Sequence, residues 1–538
     1  MPPTLAPSPP TPHALLAALA DPAAYPHRPE RVEIVQTHIS VVALAPPFVY
    51  KVKKPVDFGF LDFSTLARRR HFCEEEVRLN ERLCPGLYEG VVPIAWDGDA
   101  LCVEGEGEPV EVAVKMRRLD PAGFFDARLR RGALTTADLD RVTERLAAFY
   151  RGQPPSPEAA AWGWPERLRL STDENVAQTE RFVGDLIARP AFDALRSATD
   201  RFFAANARLL HRRRAEGRVV DGHGDLRLEH LHLRPDDVSD GDALCVYDCI
   251  EFNERFRCVD IASDLAFLAM DLDVHGRPDL AHHVVARMAA SLDDPELWDV
   301  IDFYKGYRAY VRGKVEAMRS GESEVPEAER AASRARARRY FQLAMAYAVA
   351  GSEPLVIAVM GPVGAGKTTQ AEALGAALGW EVVSSDRVRK AQAGVPLFRR
   401  GSEAERAALY APDRTEAVYD ALCETALRRA SDGLSTVLDA TFGTRRHRDA
   451  LRHHLAAAGV RHRLVELTAP AGALRHRLAA RADGTVVSDA RASDFAFLAA
   501  RYEPPDALED PEHVRADAAS DPEATTRAIL TALAERSD

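Results

Sequence analysis

Between residues 32 and 116 apolar and polar positions alternate in short runs, the period of half-buried strands. Residues 32–34, 41–44 and 48–52, the last two separated by Ala45-Pro46-Pro47, predict an antiparallel meander. Residues 68–83 switch to the helical period, and 91–94, 101–103 and 110–116 return to strands. After Leu119 apolar residues recur at three and four positions, which predicts helices over 136–150, 173–188 and 190–214. That period breaks over 219–232. Two short strands follow at 231–234 and 243–250, separated by an acidic turn, and helices resume from Asp260 to about Arg319. Residues 326–350 read as one long helix leading to Gly351-Ser352-Glu353-Pro354. Beyond Leu355 strands and helices alternate, the pattern of a parallel sheet covered on both faces.

These patterns divide the chain into a tail and short helix (1–29), an α+β domain (30–345) whose β-rich lobe runs to about residue 118, a joint (346–354), and an α/β domain (355–538). A chain of 538 residues is too long for one core. The net charge of −12 argues against a general nucleic-acid or anionic-membrane footprint. No apolar run reaches the length of a bilayer and the Pro-rich start lacks the regions of a signal peptide, so a cytoplasmic protein is expected. The seven cysteines contain no C-x-x-C pair, a chain of this size does not need disulfide staples, and most of them are expected as buried small hydrophobes. Lysine is scarce, at 8 against 62 arginines, which draws attention to Lys51, Lys53, Lys54 and Lys367.

Lys367 ends a glycine loop between a predicted strand (355–360) and a predicted helix (370–378). The run Gly361, Pro362, Val363, Gly364, Ala365, Gly366, Lys367, Thr368, Thr369 has the G-x-x-x-x-G-K-T spacing of a phosphate cradle. Its glycines let backbone N–H groups turn onto phosphate oxygens at a helix N-terminus, Lys367 reaches the β- and γ-phosphates, and Thr368 reaches Mg²⁺. A second strand ends just before Asp386, placing a base at the carboxyl edge of the sheet, with Arg389 one turn later to clamp an anionic acceptor. A third strand ends in Asp439, a candidate metal ligand, and Arg477 and Arg481 lie on one helix face as candidate lid cations. V-S-S-D-x-x-R, L-D-A-T and the arginine helix followed by Ser488-Asp489-Ala490 resemble the small P-loop kinases that include polynucleotide kinases, gluconate kinases and zeta-type toxins, from Leu355 to about Pro505. The resemblance implies a P-loop kinase domain with a parallel sheet, using ATP and Mg²⁺.

In the first domain His223-Gly224-Asp225 lies between a helix and a short strand, and the next strand runs into Tyr247-Asp248-Cys249-Ile250-Glu251. Together with the β-rich lobe carrying Lys51, this resembles the aminoglycoside phosphotransferase family, a branch of the protein-kinase-like fold, over residues 30 to about 345. The resemblance implies that Lys51, or Lys53 two residues on, holds the nucleotide phosphates with Glu75 as helix partner, Glu76 being close behind. It implies that Asp225 positions the acceptor hydroxyl and that Asp248 or Glu251 binds metal. Residues 37–40 take the place of the nucleotide-covering turn and Met116 to Arg118 that of the adenine hinge. Asp260 and Asp264 brace the catalytic loop. His230 stands where the family usually carries a metal-binding Asn, and an imidazole is a poorer match for Mg²⁺ than an amide oxygen.

The expectation is a tandem ATP-dependent phosphotransferase with two nucleotide sites, each phosphorylating a hydroxyl acceptor. A small-molecule acceptor is favoured over a nucleic-acid end, and no membrane partner is expected. The competing expectation is a nucleotide-dependent regulator, with a silent kinase-like domain beside a P-loop ATPase switch.

Overall fold

The structure, a computed structural model, describes residues 12–96, 100–234, 243–323, 325–399, 402–480, 487, 491–506, 513–519 and 521–535. Two compact units form: Met1–Leu168 with Arg208–Asp299, and Arg169–Ala207 with Val300–Asp538. The expected joint at 346–354 lies inside the second unit, because the helix Glu327–Ala350 packs on the helices Lys367–Leu378 and Pro522–Glu535. A composition shift marks a change of architecture along the chain, whereas a compact body is bounded by which apolar faces find each other.

The first unit holds a six-stranded antiparallel sheet. Its strands are β1 (Glu33–Gln36), β2 (Ser40–Ala45), β3 (Phe48–Lys53), β4 (Tyr88–Trp96), β5 (Leu101–Val103) and β6 (Pro109–Arg117), in the order β1-β2-β3-β6-β4-β5. Alternation along β3 sends Tyr50 and Val52 to one face, where they join Leu19, Tyr25, Val41 and Ala43 in a buried cluster. Lys51 and Lys53 therefore point to the opposite face. The helix Leu66–Asn80 covers that face against β4 and β6, with Cys73, Tyr88, Val112 and Val114 packed beneath it. It starts at Thr65, whose hydroxyl accepts from the Arg68 N–H, and stops three residues before the expected end.

Four short strands follow: β7 (Val219–Asp221), β8 (Leu231–Leu233), β9 (Leu244–Val246) and β10 (Cys258–Asp260), with β7 paired to β10 and β8 to β9, both antiparallel. The sequence pattern misses β7 and β10. The strand expected to reach residue 250 ends at Val246, and the helix expected over 173–188 is Pro165–Thr179. Cys84 and Cys245, 161 residues apart, are joined as a disulfide that the expectation of no staples did not foresee, while Cys73, Cys249, Cys258 and Cys423 are buried as free thiols. A pairing across that separation leaves no trace in local spacing.

One ionic knot ties this unit's helices. The fully buried Arg213 donates from Nε and Nη2 to Asp260 at 2.8 Å each, and from Nη1 and Nη2 to Asp294 at 2.8 and 3.0 Å. Asp260 also accepts from the Ala262 N–H, so it caps the helix Ile261–Val274.

The second unit is built on a five-stranded parallel sheet of β11 (Leu355–Met360), β12 (Glu381–Ser384), β13 (Thr436–Asp439), β14 (Arg461–Thr468) and β15 (His513–Asp517), in the order β12-β13-β11-β14-β15. Every residue of β11 is buried, as its unbroken apolar run requires in a strand covered on both faces. From β11 the chain builds first to one side and then to the other. That reversal makes β11 a topological switch point, and α/β sheets bind ligands outside the carboxyl ends of the strands at such a point.

Replacing Arg213 with Met leaves two buried carboxylates without their cation. We expect a loss of about 3–5 kcal/mol in the stability of this unit, measured by urea denaturation of the full chain; a loss below about 1 kcal/mol would refute the knot's role.

Candidate functional site

In the second unit the register of the sheet assembles the site. Val359 on β11 lies opposite Asp439 on β13, and Asp439 opposite Ser384 on β12, so three neighbouring strand ends deliver Gly361, Asp439 and Asp386 to one edge. The loop after β11 turns through Gly361, Gly364 and Gly366 at φ +140°, +83° and +91°. A Cβ on Gly361 would stand 2.6 Å from the Leu467 carbonyl oxygen, so only glycine fits there. Lys367 opens the helix Lys367–Leu378, and its ammonium donates to the Gly361 and Pro362 carbonyls at 3.1 Å. Thr368 Oγ1 donates to Asp439 Oδ2 at 2.8 Å. Burial raises the Asp439 carboxyl above its ordinary value, against the Thr368 hydrogen bond and the Lys367 charge.

Asp386 accepts from the Tyr410 hydroxyl at 3.2 Å on the first turn of the helix Ser385–Gln392. Arg389 departs from its expected place as an acceptor clamp. It is 6% exposed, donates to the Leu409 carbonyl and Thr415 Oγ1, and lies 4.4 Å from the Tyr410 ring centre. One turn after Asp386 this helix points into the protein, which the D-x-x-R spacing alone does not reveal. Arg477 donates to the Ala518 carbonyl at 2.6 Å; Arg481 and Ser488-Asp489-Ala490 lie outside the described residues.

The first unit gathers a buried charge cluster on the Lys51 face of β3. Lys51 Nζ donates to Glu76 Oε1 at 2.8 Å and to Asp248 Oδ1 at 2.7 Å. Lys53 Nζ donates to Glu76 Oε2 at 2.6 Å and also to Glu251. Glu76 thus divides its two oxygens between two lysines. Glu75, the expected partner, instead pairs with Arg78 at the surface. Along the helix 66–80 adjacent residues sit about 100° apart, so only one of Glu75 and Glu76 can face the sheet. The lysines differ as well: Lys53 is 1% exposed and shut between Glu76 and Glu251, whereas Lys51 is 17% exposed and meets Asp248, itself 37% exposed. Burial raises both Glu76 and Asp248, but charge interactions led by Lys51, joined by Lys53 at Glu76, outweigh it and hold each carboxyl below its ordinary value. Glu251, also raised by burial, stays above its ordinary value despite Lys53.

Asp248 adopts φ +64°, a left-handed backbone in a non-glycine residue. His223-Gly224-Asp225 is braced by Asp264, which accepts from the His223 N–H, the Gly224 N–H and the Tyr150 hydroxyl, each at 2.8 Å. Asp225 is gripped by Arg227 at 3.0 and 3.1 Å, a partner the sequence reading missed although it stands two residues away. His230 Nδ1 lies 2.7 Å from the Asp225 carbonyl and its Nε2 3.5 Å from Asp248 Oδ2. Met116, 9% exposed, packs in the cluster under the helix 66–80, and residues 37–40 form the β1–β2 turn, closed by the Thr37 N–H to the Ser40 carbonyl.

Among the described residues no group of three His, Cys, Asp or Glu side chains is arranged to hold a metal by itself, and no helix is long and apolar enough to cross a membrane. The glycine cradle, the helix N-terminus and the Thr368–Asp439 pair define the second unit as a P-loop nucleotide-binding domain. The family model described as an AAA domain matches residues 356–505. The uncharacterized protein Rv2004c of Mycobacterium tuberculosis (strain H37Rv) and Mb2027c of Mycobacterium bovis are each 31% identical over 472 residues, covering 87% of this chain and 90% of theirs, and the chain belongs to their family. Among solved structures, a gluconokinase from Sinorhizobium meliloti 1021 is 23% identical and covers 34% of this chain and 93% of its own, with a TM-score of 0.26. A sugar kinase from Janibacter sp. is 23% identical and covers 33% of this chain and 93% of its own, with a TM-score of 0.25.

Glu76→Gln removes the shared carboxylate from two buried ammonium groups and is expected to cost about 3–5 kcal/mol. Glu75→Gln should cost under about 1 kcal/mol. Thermal unfolding of the two variants checks the assignment, and equal losses would refute it.

Proposed function

We propose that the chain is an ATP-dependent phosphotransferase with two nucleotide sites, each passing a γ-phosphoryl group to a hydroxyl acceptor. The observation that carries this reading is the shared edge in the second unit, where a phosphate cradle, a hydroxyl–carboxylate pair and a separate carboxylate stand on adjacent strand ends. Thr368 Oγ1 and Asp439 are hard oxygen donors that fit Mg²⁺, which when bound with phosphate oxygens supplies charge neutralisation. Lys367 exchanges the Gly361 and Pro362 carbonyls for phosphate oxygens, and the loop N–H groups take the remainder. Asp386, held by Tyr410, accepts the acceptor's hydroxyl proton. Arg389 acts as a positioning residue that sets the helix bearing Asp386.

In the first unit Lys51 takes the phosphates, Glu76 orients it, Asp225 positions the acceptor hydroxyl, and Asp248 is the metal acid; Lys53 and Glu251 hold that arrangement from below. Asp248 supplies the oxygen a Mg²⁺ ion prefers, but the imidazole nitrogen of His230 beside it does not fit that ion. The net charge favours a small-molecule acceptor over nucleic acid, in the cytoplasm where ATP is kept. One observation favours a second reading, the nucleotide-dependent regulator: Asp225 is held by Arg227 and Lys51 by Asp248.

Calorimetric titration with Mg²⁺ and a non-hydrolysable ATP analogue separates the two. We expect two equivalents bound by the wild type, one by Lys367→Ala, and none by Lys367→Ala combined with Lys51→Met. One equivalent for the wild type and none for Lys367→Ala would hand the first unit to the regulator reading.

A further inference from the structure

The His230 ring is held in one orientation and one tautomer. It is 6% exposed and ends the turn Leu228–His230. Its Nδ1 lies 2.7 Å from the Asp225 carbonyl oxygen, which can only accept, so Nδ1 carries the proton of the neutral ring. Nε2 then presents a lone pair. That nitrogen lies 3.5 Å from Asp248 Oδ2 and 3.7 Å from Glu229 Oε1, distances too long for hydrogen bonds. The His223 ring stacks beside it at 6.0 Å and Tyr247 meets it edge-on at 5.9 Å, so the ring has little room to turn.

Two further observations point to a ligand between Nε2 and Asp248. A metal-binding imidazole characteristically donates its other N–H to a backbone carbonyl or a carboxylate, which is the Nδ1 bond seen here. Asp248 also holds its carboxylate in place through a left-handed backbone at φ +64°, a conformation that persists at sites where geometry matters. Its Oδ1 is taken by Lys51 while Oδ2 faces the imidazole. Donors 3.5 Å apart, each about 2.1 Å from an ion, would subtend an angle of roughly 110° at it.

We propose that the first unit takes its nucleotide with a first-row transition-metal dication, bound through His230 Nε2 and Asp248, in preference to Mg²⁺. The inference rests on reading the first unit as a nucleotide site. Magnesium demands oxygen ligands in a near-ideal octahedron, whereas affinity for a nitrogen-containing donor set rises along the first transition row. Two side chains do not hold such an ion alone, and the phosphate oxygens of the nucleotide complete its shell.

The test uses the full chain with Lys367→Ala, which removes the P-loop site, labelled with ¹⁵N-histidine. Mn²⁺ and a non-hydrolysable ATP analogue are added, and pulsed electron paramagnetic resonance reads the coupling between the bound Mn²⁺ and ¹⁵N. We expect nucleotide-dependent ¹⁵N coupling that disappears in His230→Asn while one equivalent of nucleotide still binds. Displacing the Mn²⁺ should need about tenfold more Mg²⁺ with His230 than with Asn. Bound Mn²⁺-nucleotide without ¹⁵N coupling, or coupling unchanged in His230→Asn, overturns the metal assignment and leaves the nucleotide site standing. Absence of bound nucleotide overturns both.

Discussion

Two ammonium groups cannot sit beneath a β-sheet unless carboxylates meet them, and this constraint organises the first unit. Alternation along β3 commits Lys51 and Lys53 to the same covered face, so the helix above must bring an acid and the chain beyond β9 must bring two more. Glu76 divides its oxygens between the lysines, while Asp248 accepts a second bond from Lys51 and Glu251 a second from Lys53. Sheet, helix and the segment after β9 are therefore held to one another by a single charge balance. Removing one member strands the others in a medium that solvates charge poorly.

The cluster is graded in exposure, and the gradation separates structure from chemistry. Lys53 and Glu251 are sealed and serve as a brace. Lys51 and Asp248 open toward solvent, so they can exchange partners with a ligand. His230, the Asp225 carbonyl and Arg227 lie next to that open end, and the whole loop rests on Asp264. The second unit reaches a similar concentration of chemistry by different means. Parallel register alone carries the ends of β11, β12 and β13 to one edge, and the glycine loop needs only unhindered backbone to curl over it.

Each residue misread from sequence traces to something local spacing does not encode. Glu75 and Glu76 are neighbours in a run of three glutamates, and the rotation of the helix on the sheet selects the second. Arg389 has the right offset from Asp386, yet the turn carrying it faces Leu409 and Thr415. Arg227 stands two residues from Asp225 in sequence, but its grip depends on a loop conformation that no periodic pattern reports. The disulfide between Cys84 and Cys245 closes a loop of chain far longer than any motif window.

The sequence by itself determined the succession of architectures, the phosphate cradle at Gly361–Thr369, the common face of Lys51 and Lys53, and the bracing place of Asp264. The first three follow from periods of two or 3.6 residues, or from backbone freedom at glycine, which are properties of a few consecutive residues, whereas the place of Asp264 came only with the resemblance. Tertiary structure alone decided which glutamate meets the lysines, that Asp248 rather than Glu251 stays open, and where the compact units divide. Those outcomes depend on the rotation of a helix about its axis, the depth of a side chain below the surface, and the pairing of faces distant in sequence. None of these quantities exists until the chain has packed.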